Sequence, residues 1–200
     1  RRIHMRKYLL HVLIISFVFI AIPITSATGG SITLRSHYRS LSVSQVQVIP
    51  NMSIRKNEYG FHGHSTINHD YNLKAIRGDV VVIDNTTGLM WHQSGSSNGV
   101  IGNKVMQWVY DFNSIGYAGY YDWRLPTLAE ATSLLESSEK NADLHIDTGF
   151  NNEQKTIWTG DNCGPGSMWI ANFLDGGVIC FDSSEDWGDI VRIRPVRSMR

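Results

Sequence analysis

Two hundred residues, 42% of them apolar, are enough for one domain with an additional segment, and a charged content of 18% excludes a polyelectrolyte-like disordered chain. Basic and acidic residues balance at 18 each, and no long basic run occurs, so the chain lacks the electrostatic footprint of a nucleic-acid binder. Six tryptophans supply large apolar surfaces with one polar handle each, suited to a core or to a binding face.

At the N-terminus Arg1, Arg2, Arg6 and Lys7 precede the apolar run YLLHVLIISFVFIAIPI, and the small residues Thr25-Ser26-Ala27 follow. Basic, apolar, then small is the layout of a secretory signal, assigned here to residues 1–27, with residues 1–4 upstream of Met5 as a candidate start. The alternative is an uncleaved anchor, since a run of about 17 residues lies at the short end of a spanning helix. Removing four of the 18 basic residues leaves 14 against 18 acidic, a formal net charge of −4. The expected location is therefore periplasmic, cell-surface or secreted, with a membrane as partner only if the segment is retained.

Residues 28–77 are polar and weakly periodic and read as a linker or irregular extension, with SVSQVQVI alternating as a strand would. His62, His64 and His69 invite a metal reading, but no carboxylate or cysteine stands at ligand spacing. From residue 78 the pattern sharpens. DVVVID (79–84) predicts a strand, NTTG (85–88) a turn and LMWHQ (89–93) its hairpin partner. After a Gly/Ser/Asn loop, Val105, Val109, Phe112 and Tyr117 recur at helical spacing, and Gly116 and Gly119 end that helix. In YYDWRLPTLAE (120–130), Pro126 holds Leu125 extended, and Thr127 with Glu130 forms a capping box for a second helix faced by Leu128, Ala131, Leu134 and Leu135. YYDWRLPT is thus a corner between helices, expected to act as a structural latch with Trp123 buried and Arg124 paired.

TIWT (156–159), SMWIANF (167–173), GVICF (177–181) and DIVRIRPV (189–196) predict short strands, with Asp175-Gly176-Gly177 as a hairpin turn. Pro195 places the last strand at an edge or lies near that strand's end. The resulting fold class is α+β: two helices packed on short antiparallel strands. Cys163 and Cys180, 17 apart in an exported chain, read as one disulfide.

The ordered blocks D-x-TTGLMW (84–91), the tryptophan-bearing helix, GYYDWRLPTLAE (119–130), ID-x-x-F (146–150), IWT (157–159), MWIANFLDGG (168–177) and VRIRPVR (191–197) resemble the bacterial Lcl C-terminal domain family, long labelled a domain of unknown function. The domain is taken as residues 78–200. The resemblance implies a C-type-lectin-like fold, related to the formylglycine-generating-enzyme group, with an N-terminal extension outside it. It further implies an exported ligand-binding module of the kind found on surface adhesins, and no chemistry.

Gly95-Ser-Ser97-Asn-Gly99 fits G-x-S-x-G in letters only, because no buried strand leads into it and no helix follows at once. A divergent formylglycine-generating-type oxidoreductase would need closely paired reactive cysteines, which Cys163 and Cys180 do not form in sequence. The ligand face is expected on Asp161, Asn162, Asn172, Asp182, Glu185 and Trp187, where an aromatic ring could stack on a sugar and carboxylates or amides could take its hydroxyls. No cofactor is required. Calcium stays open through the oxygens of Asp182, Glu185, Asp186 and Asp189, against the plainer reading of a solvated acidic loop. Structural roles are assigned to Trp91, Asp122, Trp123, Arg124, Thr127, Glu130, Trp158, Trp169 and Arg194. The leading expectation is a non-catalytic module recognising an extracellular glycan or surface protein. The alternative is a structural or assembly domain of a cell-surface protein without a small ligand, and an enzyme ranks last.

Overall fold

Two antiparallel sheets organise the residues that the computed structural model describes, 31–56, 60–183 and 190–199. The first sheet orders β1 (Met52–Lys56), β2 (Phe61–Ser65), β8 (Gly177–Asp182), β7 (Ser167–Asn172) and β6 (Thr156–Gly164). The second orders β3 (Tyr71–Ile76), β4 (Asp79–Asp84), β5 (Leu89–His92) and β9 (Val196–Ser198). Three α-helices, α1 (Val43–Val46), α2 (Val105–Ile115) and α3 (Leu128–Ser133), complete an α+β architecture. The N-terminal segment assigned as a signal, residues 1–27, lies outside the described residues.

Local chemistry explains most of the elements. β4 and β5 form the expected hairpin, registered Val82 against Trp91 and Asp84 against Leu89. Its turn is held by Asp84, whose carboxylate accepts from Thr86 N at 3.1 Å and from the Thr87 hydroxyl. α2 stops at Gly116, which adopts the left-handed φ of +66° that glycine enters without steric cost. At α3 the Thr127 hydroxyl accepts from Glu130 N at 3.2 Å, and Glu130 Oε2 accepts from Thr127 N at 2.8 Å. The capping box read from the sequence is therefore present, although the helix it starts is only six residues long. The β7–β8 hairpin turns through Gly176 at φ +63°.

Two sequence expectations are corrected. SVSQVQVI is not a strand: residues 43–46 form α1, and Gln45 Oε1 reaches back to Ser42 N at 2.8 Å. The alternation of small polar and apolar residues loses to this local cap, because no neighbouring strand is in place to reward an extended conformation. DIVRIRPV is not one strand either. Residues 191–195 run extended but bond to several elements in turn: Val191 O accepts from Val100 N, Arg192 exchanges bonds with Thr156 and Trp158, and Ile193 O accepts from Ser96 N. Only Val196–Ser198 joins a ladder, as the edge strand β9 next to β5. Pro195, which has no N–H to donate, stands just before it.

Residues 31–76 are also more than a linker. β3 pairs with β4 along six residues, and β1 and β2 extend the other sheet through Phe61–Val178 and His62–Gly177. Leu41, Val46, Ile49 and Phe61 are buried in the same cluster as Trp91, Leu128, Phe150, Trp169 and Phe173. The indole of Trp169 donates to Leu41 O at 3.1 Å. The β2–β8 pairing and the Trp169–Leu41 bond join residues more than a hundred positions apart, so periodicity within residues 28–77 carries no trace of them.

A disulfide joins Cys163 on β6 to Cys180 on β8, with Cα atoms 5.8 Å apart. The two strands flank β7, and neighbouring strands lie about 4.8 Å apart, so a flat sheet would separate them by roughly twice that. β6 closes the gap because its register shifts twice, between Trp158 and Asn162 and between Asn162 and Gly164, which bends its end toward β8.

Candidate functional site

The helix-corner stretch is a latch. Trp123 is 2% exposed, and its indole donates to Tyr117 O at 3.1 Å. The Asn113 side chain grips the Trp123 backbone from both sides, accepting from its N at 2.8 Å and donating to its O at 2.7 Å. Arg124 makes a two-pronged pair with the buried Glu130 at 2.7 Å on each arm. Exposed Asp122 pairs with Arg197, whose guanidinium lies 3.8 Å from the Tyr120 ring centre. Trp91, Trp158 and Trp169 are buried as core. Arg194 is fully buried and has carbonyl partners in place of a carboxylate: Gln93 O, and Asn151 O at 3.0 Å. Burial without a counter-ion lowers its pKa to about 9.

The face predicted to hold ligand does not assemble as one site. Asp161 is wholly buried, and its four acceptor positions are filled: Arg35 Nη1 at 2.9 Å, Arg35 Nη2 at 2.6 Å, Arg39 N at 2.6 Å and Leu128 N at 2.7 Å. It ties the N-terminal segment to β6 and to the start of α3, a structural role that corrects the ligand role expected for it. Asn162 is exposed, and its backbone is bridged to Ser40. Asn172 is buried in the β7–β8 turn, donating to Asp175 Oδ2 at 2.8 Å and accepting from Leu174 N at 2.9 Å. Asp182 is exposed at the end of β8. Glu185, Trp187, Asp186 and Asp189 lie outside the described residues. Among the described residues no group of three or more His, Cys, Asp or Glu is arranged to hold a metal ion.

A different polar concavity is formed on β2. A cleft of about 340 Å³ is lined by Arg55 of β1, His62 and His64 of β2, Glu136 and His145 beyond α3, and Asp175 in the β7–β8 turn. A second recess of about 280 Å³ shares His62 and Asp175 and adds Asn172. The period of two along a strand sets His62 and His64 on one face. His62 Nδ1 lies 2.8 Å from Asp175 O, and His145 Nδ1 lies 3.0 Å from Glu136 O. Carbonyls only accept, so each Nδ1 carries the hydrogen and each Nε2 is left for another partner. Glu136 is partly neutralised by Lys140 at 2.8 Å. The cleft therefore offers imidazole nitrogens, a guanidinium, carboxylates and the hydroxyls of Ser53 and Ser137, a lining suited to a hydroxyl-rich or charged ligand. His62 and His64 were singled out in the sequence only as metal ligands. His145, Asp175, Glu136 and Arg55 come from three further segments that the fold brings together.

A second constellation has the outline of a catalytic triad. His69 Nδ1 lies 2.7 Å from Asp84 Oδ2, and Ser65 Oγ lies 3.4 Å from His69 Nε2. A general base needs a free lone pair on Nε2, directed at the hydroxyl. Here Nε2 lies 2.7 Å from Ser133 O, an acceptor, and while Nε2 donates to that carbonyl no lone pair faces the hydroxyl. The G-x-S-x-G loop likewise serves the fold: Ser96 is buried and its hydroxyl accepts from Ile193 N at 2.9 Å.

With this geometry in place, the comparison with known families is decisive for ancestry. The model of the Lcl C-terminal domain matches residues 80–197, and the chain belongs to that family. No curated protein and no solved structure matches the chain. The matched region contains Glu136, His145 and Asp175, whereas Arg55, His62 and His64 precede it. The cleft is thus a composite of the family domain and a hairpin that the family match does not include.

Proposed function

We propose that the protein is an exported, non-catalytic ligand-binding module of C-type-lectin-like fold that holds a polar ligand, a glycan or a surface protein, in the cleft between β2 and the β7–β8 turn. The observation that carries this reading is the convergence of His62, His64, His145, Arg55 and Asp175 on one open cleft. The supporting bonds of His62 and His145 run to backbone carbonyls and that of Asp175 to the Asn172 amide, which fixes these groups and leaves the Nε2 atoms of His62 and His145 for a ligand. The two antiparallel sheets, the short helices and the disulfide agree with a lectin-like arrangement and with an oxidising compartment. The basic-apolar-small N-terminus supports export.

The competing reading is a structural or assembly domain without a small ligand, favoured by the burial of Asp161 and of the Trp123 corner. A glycan array probed with and without calcium, with sulfated polymers included, separates the two. Binding that weakens in Arg55→Ala/His62→Ala supports the cleft. A blank array in every condition removes the carbohydrate reading.

A further inference from the structure

His69 follows β2, and its side chain is buried against two acceptors: Asp84 Oδ2 at 2.7 Å and Ser133 O at 2.7 Å. A neutral imidazole has one N–H and can serve only one of them; the imidazolium serves both. We propose that His69 is a proton-operated clasp between the two walls of the cleft, closed when the ring carries both hydrogens and loosened when it loses one. The inference rests on the cleft being the binding site.

The connectivity supplies the coupling. One wall, His62 and His64, continues into Ser65 and then into the turn that holds His69. The other wall, Glu136 and Ser137, follows directly on Ser133–Leu135, and Ser65 N donates to Leu135 O at 2.8 Å. Loss of a ring proton turns one short contact into a meeting of two lone pairs. The bond to Asp84 is the one retained, because a hydrogen bond to a carboxylate is the stronger. The bond to Ser133 O therefore opens, and the end of α3 keeps only the Ser65 N–Leu135 O bond as its tie to the segment leading from β2.

Asp84 and Tyr71 frame the ring. Asp84 also accepts from Thr87 and from Thr86 N, and although burial pushes its pKa up, the bonds from His69, Thr87 and Thr86 hold it below the ordinary carboxylate range. Tyr71 stacks on the imidazole with ring centres 4.8 Å apart and planes 6° apart. The charged groups that act on Tyr71 are Asp84, Glu136 and Asp147 on the negative side and Arg194 on the positive.

Nitrogen NMR of the imidazole rings, with backbone amide shifts recorded from pH 5 to 8.5 without ligand, tests the clasp. The expected result is two ring N–H groups on His69 at the acid end. As one is lost, the amides of residues 62–65 and 133–137 shift with the same midpoint, and that midpoint is absent in His69→Gln. The affinity of any ligand found for the cleft should then fall about fivefold or more across the same range. A single N–H on His69 throughout, or wall amides that ignore its titration, overturns the proposal, and the unmodified chain decides this even if the variant fails to fold. Walls that titrate in a protein that binds no ligand at any pH would leave the clasp standing and remove the binding reading instead.

Discussion

Replacing Asp161 with alanine tests whether that residue belongs to the frame or to a ligand surface. The carboxylate is fully buried and accepts four hydrogen bonds, two from Arg35 and one each from Arg39 N and Leu128 N. Its removal leaves a largely buried guanidinium without its partner and two backbone N–H groups without acceptors. Breaking a buried ion pair costs about 3–5 kcal/mol, and each unsatisfied buried donor costs about 1–3 kcal/mol, with the two losses overlapping at this one site. A loss of about 3–5 kcal/mol is a large share of the roughly 5–15 kcal/mol that holds a domain folded. For a domain of this size it corresponds to a fall in Tm of roughly 6–20 °C. The assay is urea and thermal unfolding of Asp161→Ala, Arg35→Ala and the double variant. A double-mutant cycle should show the two sites coupled, because either change removes the same pair. A loss below about 1 kcal/mol, with ligand binding abolished, would refute the reasoning and return Asp161 to the ligand face.

Trp123→Ala should cost about 3–5 kcal/mol by unfolding measurements, since the indole is buried against Phe112 and Tyr117 and bonded to Tyr117 O. Thr127→Ala should cost about 1 kcal/mol in the same assay by removing the α3 cap, while Thr127→Ser should recover most of it. A chain beginning at residue 78 should lack a cooperative unfolding transition, because it loses β1–β3 and the buried Leu41, Val46, Ile49 and Phe61, side chains worth about 1.5–3 kcal/mol each in burial. On the acid side, Asp84 binds fewer protons folded than unfolded, so its contribution is full above the unfolded pKa and is lost as pH falls through the folded value. Asp84→Asn should flatten that acid limb in a pH series of melting temperatures.

Where bonds are local, the sequence was sufficient to read the fold. Thr127 and Glu130, the Asp84–Gly88 turn, Gly116 after the α2 periodicity and Asp175-Gly176-Gly177 each specify their geometry within a few residues. The two cysteines were legible for a similar reason, with only one pairing available. α1 carries a local signal of the same kind: Ser42 and Gln45 are a capping pair spaced as Thr127 and Glu130 are. β1 and β2 carry no such signal, because MSIRK and FHGHS alternate weakly, and their hairpin joins a sheet only through the pairing of β2 with the distant β8. The site was hidden for the same reason. Asp161 and Asn162 looked like loop polar groups, yet β6 carries Asp161 inward to Arg35. His62, His145 and Asp175 meet only once the β7–β8 turn lies against β2.

The central claim, that the β2 cleft holds a polar ligand, is tested most directly by titrating the unmodified protein and Arg55→Ala/His62→Ala with a glycan selected on the array. Both side chains are exposed, so the variant should melt as the unmodified chain does and bind at least tenfold more weakly. Equal affinity in the two proteins, with folding intact, would contradict it.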